Sequence, residues 1–273
     1  MKLISYLHNL FIHTWHNASK ESFNFHKKEE NQKIDSKVII ILIYIAFSLS
    51  IVKYFGNPNY ILQSINTLVL NLFKIEIEQL FIYSKKAEFY QRIWWISTIL
   101  FFYLLIPFVI VRFIFKQKIK EFGFSTANIF KDYPIYLLML ATMLPIVYFA
   151  SKTNSFQARY PIFKPVSGEL FPLFFYWQVA YLIQFVAVEL FFRGFIIHGL
   201  KLRFGIYSIF ISTIPYCMVH FGKPLGETLA AILAGIILGT LSLKSRSILL
   251  GIAIHYSVAI TMDLFALFRQ GIL

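Results

Sequence analysis

Runs of about 20 apolar residues recur along the chain, separated by short polar or basic stretches. A helical run of that length, rising 1.5 Å per residue, matches the ~30 Å hydrocarbon core of a bilayer. The pattern predicts membrane spans near residues 37–55, 93–115, 134–150, 171–200, 206–222, 227–243 and 247–268. Two further stretches place apolar residues on one helical face. Residues 1–16 do so with Leu3, Leu7, Leu10, Phe11 and Trp15, and residues 60–82 with Ile61, Ile65, Leu68, Leu72 and Phe73. One-sided helices of this kind lie in the membrane interface, although the second stretch is also long enough to be an eighth crossing. The expected fold is an all-α polytopic membrane protein with seven or eight transmembrane helices and amphipathic interfacial helices.

Composition agrees with this pattern: 58% of residues are hydrophobic, 19% aromatic and only 14% charged, far from the soluble globular norm. A net charge of +13 raises the question of nucleic acid. The basic residues, however, gather at span ends (Lys116, Lys118 and Lys120; Lys201 and Arg203; Lys244 and Arg246). That placement predicts anionic lipid as the partner, no nucleic acid, and a cytoplasmic N-terminus; the expected location is a cell membrane, the inner membrane of a bacterium. The apolar start is interrupted by His8, Asn9 and His13 without a small-residue cleavage site, so it does not read as a secretory signal. The single cysteine, Cys217, excludes an internal disulfide framework.

Three regions follow: an amphipathic N-terminal segment 1–36, flanking spans 37–151, and a chemical unit 170–268 beyond a polar loop at 152–169 that carries Pro161, Pro165 and Ser167-Gly168. Ionisable residues are nearly absent from the earlier spans and reappear after residue 170 as Glu189, Arg193, His220, Glu227, His255 and Asp263. A charge inside the bilayer is costly unless paired or facing a wet cavity, which makes each of these a site candidate. Glu189 and Arg193, four residues apart, share a helix face and form an ion pair at the least. From the basic span borders, Glu189 lies about 18 Å deep, His255 about 14 Å and His220 about 26 Å, at 1.5 Å per residue. Ala231, Gly235 and Gly239 recur at every fourth position, a helix-packing stripe. Cys217 and His220, three apart, offer a thiolate-dyad alternative. No His-Glu-x-x-His helix, Gly-x-Ser-x-Gly elbow or Walker loop is present.

Three segments resemble the CPBP family, which comprises CAAX-type prenyl proteases and bacteriocin-processing (Abi) proteins. They are Val188-Glu189-Leu-Phe-Phe-Arg193-Gly194, Tyr216-Cys-Met-Val-His220 and His255-Tyr-Ser-Val-Ala259. They align with that family's Glu-Glu-x-x-x-Arg-Gly, aromatic-x-x-x-His and His-x-x-x-Asn/Asp/small motifs, in order, on consecutive apolar segments. Two positions depart. The family's first Glu, assigned as base, is Val188, and its last polar position, which helps hold the oxyanion, is Ala259.

The resemblance implies an intramembrane endopeptidase acting on a membrane-associated or prenylated peptide or protein. Its catalytic residues would be Glu189, Arg193, His220 and His255, with Glu227 and Asp263 as possible supporting carboxylates. In this reading Glu189, helped by His220, activates water, His255 polarises the carbonyl and Arg193 orients Glu189. A mechanism without cofactor is expected. Zinc held by Glu189, His220 and His255 is the metal alternative. The two departures leave a second reading open, a non-catalytic scaffold or bacteriocin-immunity-type protein of the same fold.

Overall fold

The computed structural model describes residues 2–28, 35–74, 76–126, 129–165 and 170–273. Residues 29–34 of the N-terminal segment and Ser167-Gly168 of the polar loop lie outside them, as do the side chains of Leu3 and Ile65. The described residues form helices and loops without strands.

Helix α1 (Lys2–Lys28) precedes α2 (Ser36–Phe55), which begins where the Asp35 side chain accepts a hydrogen bond from the Val38 amide at 3.2 Å. Satisfying an otherwise unpaired N-terminal donor is what an Asp in this position does. The short α3 (Leu62–Phe73) follows, then α4 (Ala87–Ile114), α5 (Ile129–Ala150) and the six-residue α6 (Asn154–Arg159). The C-terminal unit consists of α7 (Leu173–Phe204), α8 (Tyr207–Met218), α9 (Leu225–Ser245) and α10 (Leu249–Arg269).

Helix α7 is the axis of the molecule. Its apolar window is 78% buried, against 17–39% for the other long helices. Phe191, Phe192, Phe195 and Ile196 of α7 pack against Ile41 and Tyr44 of α2 and Tyr103 of α4, and the Tyr103 and Phe191 rings stack at 4.4 Å. The remaining long helices show much of their apolar surface outward, as lipid contact requires. The small-residue stripe of α9 seats α8: a Cβ added at Gly235 would lie 2.8 Å from Thr213, and one at Gly239 2.9 Å from Ile209. Helix α1 docks on the basic end of this unit, with Trp15 Nε1 donating to Thr240 Oγ1 at 3.0 Å and Ser22 Oγ to the Arg203 carbonyl at 3.2 Å.

Six of the described helices are long and apolar enough to cross a membrane, fewer than the seven or eight expected. Two stretches account for the difference. Residues 206–222 yield only the 12-residue α8, about 18 Å long. Gly205 (φ 52) breaks the chain before it, Pro215 interrupts its hydrogen bonding, and Gly222 (φ 87) turns the chain back. Residues 60–82 do not form one helix: α3 stops at Phe73, where Lys74 turns left-handed (φ 57), and a short π-helical turn occupies Gln79–Tyr83. The protein is an integral membrane protein of all-α architecture.

Candidate active site

Glu189 ends the α-helical part of α7, and the next nine residues, Leu190–His198, are π-helical. A π segment widens the helix and re-aims its side chains, and such segments recur at functional sites. Across this junction the Arg193 guanidinium comes within 3.3 Å of Glu189 Oε1, an ionic contact between two groups that are almost wholly buried. The guanidinium also lies over the Tyr216 ring, its Cζ 3.9 Å from the ring centre. A cation on an aromatic face in a dry site is held favourably. Arg193 thus joins α7 to α8 while compensating the carboxylate.

From α10, His255 Nδ1 lies 2.9 Å from the same Glu189 Oε1. The carboxylate fits here because α10 presents Gly251: a Cβ at that position would stand 2.9 Å from Glu189 Oε2. The His255 ring packs 4.4 Å from Phe185, and its other nitrogen, Nε2, lies 3.4 Å from the Tyr216 hydroxyl. The His255 side chain retains 17% exposure where Glu189 retains 1%. An incoming molecule therefore meets the imidazole and not the carboxylate.

His220 sits just past the end of α8. Its Nδ1 lies 2.8 Å from the Tyr216 carbonyl, its ring stands edge-on to Tyr216 at 4.8 Å, and its own carbonyl accepts from Thr228 Oγ1 at 2.9 Å. Because a carbonyl only accepts, Nδ1 carries the proton and Nε2 of the neutral ring is an acceptor. The structure thus brings Glu189, Arg193, His220 and His255 around Tyr216. It differs from the sequence expectation in the pairing, since the partner of Glu189 is His255 rather than His220.

The two supporting carboxylates are engaged elsewhere. Asp263, fully buried two turns beyond His255, accepts from the Ile162 amide (3.0 Å), Trp177 Nε1 (3.3 Å) and Gln178 Nε2 (2.9 Å), tying the loop after α6 to α7 and α10. Glu227 binds Lys223 Nζ at 2.7 Å and accepts from the Tyr160 hydroxyl at 2.7 and 2.8 Å. Burial, and then the Glu227 carboxylate, push the Tyr160 phenol well above its ordinary value. The Cys217–His220 dyad is not formed, because Cys217 Sγ faces the Thr228 carbonyl at 3.6 Å.

Among the described residues no three His, Cys, Asp or Glu side chains assemble as a metal-binding group. Glu189 Oε1 is bound to His255 Nδ1 and His220 Nδ1 to a backbone carbonyl, which leaves the Nε2 atoms as the available lone pairs of the two histidines.

The sequence alone gives Tyr216 no part beyond the aromatic of a motif, and its hydroxyl is the signal that marks it. The family model described as type II CAAX prenyl endopeptidase Rce1-like matches residues 170–261, the segment that carries every residue of this cluster. Over residues 170–261 the chain is similar to the CAAX protease family. Comparison with curated proteins and with solved structures finds no match. Within the matched segment, Val188 is buried in the cluster shared with α2 and α4, and Ala259 in the one shared with Trp177 and Tyr181.

Proposed function

We propose that the chain is an intramembrane endopeptidase that hydrolyses a peptide bond of a membrane-anchored or prenylated substrate without a metal. The observation that carries this reading is the 2.9 Å contact between Glu189 and His255. An ionised Glu189, compensated by Arg193, holds the proton of His255 on Nδ1 and leaves Nε2 free to accept one. A buried carboxylate that orients a histidine base is a recurrent hydrolytic arrangement. Water enters on the exposed side of His255 and gives a proton to Nε2, while His220 Nε2, a second acceptor, helps hold it. Glu189 acts through His255, which moves the base role from the carboxylate to the imidazole. At the basic end, Lys116, Lys118, Lys201, Arg203 and Arg246 face anionic headgroups on the cytoplasmic side.

A second reading, a non-catalytic membrane receptor for a peptide, is favoured by the apolar burial of Val188 and Ala259. Cleavage of a farnesylated CAAX peptide and of an unprenylated transmembrane peptide, by the wild type and by Glu189→Gln, separates the two.

A further inference from the structure

We infer that the Tyr216 hydroxyl is the oxyanion donor of this site, an assignment that rests on the peptidase reading. Peptide hydrolysis needs a hydrogen-bond donor where negative charge develops on the scissile carbonyl oxygen. Around His255 Nε2 the candidates are few. Glu189 and His220 Nε2 are acceptors, and Phe185 is apolar. Arg193 is buried, its Nη1 in ionic contact with Glu189 at 3.3 Å, its Cζ over the Tyr216 ring and its terminal nitrogens without a hydrogen-bond partner, so it lies behind Tyr216 and Glu189. Ala259, one turn beyond His255, carries no polar side-chain atom. The Tyr216 hydroxyl is the donor in contact with Nε2, at 3.4 Å.

Its geometry suits the role. At 3.4 Å the contact is long for an O–H donor, whose usual distance is about 2.7–2.8 Å, so the phenol is held by packing and not committed to His255. Arg193 over one face, with Phe192 and His220 edge-on at 5.3 and 4.8 Å, fixes the ring. The guanidinium charge on that face draws electron density from the ring and strengthens the O–H as a donor.

The step balances with water as the only co-reactant. His255 Nε2 takes a proton from water, and the oxygen bonds to the carbonyl carbon. The carbonyl π pair moves onto its oxygen, which the Tyr216 O–H holds without giving up its proton. Collapse breaks the C–N bond, and the departing nitrogen takes the proton from Nε2, leaving an acid and an amine.

The test is the kinetics and pH–rate profile of wild type, Tyr216→Phe and Glu189→Gln on the farnesylated CAAX peptide and the transmembrane peptide. Phe keeps the ring and its contacts, so the fold should persist by melting in detergent. The expected result is a kcat for Tyr216→Phe lower by about 100- to 1,000-fold, as for loss of one oxyanion donor, with KM and the pH profile unmoved. A kcat within about threefold of wild type, well under the tenfold that 1.4 kcal/mol would give, overturns the assignment and leaves the peptidase reading standing. A fall in rate with a displaced pH profile also overturns it, because the hydroxyl would then act by tuning His255. Wild-type cleavage no faster than that of Glu189→Gln overturns the peptidase reading itself.

Discussion

His255 and Glu189, 66 residues apart in sequence, meet at 2.9 Å between α10 and the junction of α and π geometry in α7. That contact, with Arg193 at 3.3 Å on the same oxygen, makes the three a neutralised unit inside an apolar protein. Its members are coupled, which shapes what mutation should do.

Arg193→Leu removes the countercharge from a fully buried carboxylate, a change that costs roughly 3–5 kcal/mol when one partner of a buried pair is lost. Low yield and an early melting transition in detergent are expected. Glu189→Leu in the same chain should restore part of the loss, so that the double variant melts above Arg193→Leu alone. Strictly additive losses would show that the pair is not coupled.

Gly251→Ala tests the seat of the carboxylate. The added Cβ would lie 2.9 Å from Glu189 Oε2, and the side chain that must yield is the one pinned by Arg193 and His255. A drop in kcat of about tenfold, equivalent to 1.4 kcal/mol in the transition state, is expected with little change in melting temperature. Unchanged kcat would mean that the carboxylate moves freely.

Asp263→Ala should act on stability rather than chemistry. It strands three buried donors, on Ile162, Trp177 and Gln178, each costing about 1–3 kcal/mol when unsatisfied. Limited proteolysis should cut the 152–165 loop faster in this variant, whereas Asp263→Asn, which retains an acceptor oxygen, should sit between it and wild type.

Alkaline pH offers a further check. Burial and Glu227 raise the Tyr160 pKa above its ordinary value of 10.0. A group whose folded pKa is raised contributes stability that is fully present below its unfolded pKa and lost as pH climbs towards the folded one. Wild type should therefore lose stability from about pH 10 upward more steeply than Tyr160→Phe, as read by melting temperature against pH. Parallel curves would show that the Tyr160–Glu227 contact does not form.

What the sequence revealed of this fold follows from which forces are local. Where a predominantly apolar run is long enough to cross the bilayer and free of helix-breaking turns, as in α2, α5, α7, α9 and α10, bilayer thickness sets helix length and the expected spans agree with the structure to within a few residues. Where Gly205, Pro215 and Gly222 punctuate an apolar run, hydropathy still reads a span although backbone geometry permits only a half-length helix. In the site, Glu189 and Arg193 were legible as a pair because four residues separate them. The choice of His255 over His220 as partner was not, since it depends on the approach of α10 at Gly251. The same limit applies to Asp263, whose amide partner Ile162 is 101 positions away.

The central claim is that Glu189 and His255 form a working base, and one measurement tests it most directly. Cleavage of the farnesylated CAAX peptide and the transmembrane peptide is followed side by side for wild type, Glu189→Gln, His255→Ala and Val188→Glu. The account predicts cleavage by wild type, loss of at least about 1,000-fold in both Glu189→Gln and His255→Ala, as for members of a unit that acts together, and no gain from Val188→Glu. Wild-type rates indistinguishable from those of the first two variants, with cleavage appearing only in Val188→Glu, would contradict it and establish a scaffold that lost its base at position 188.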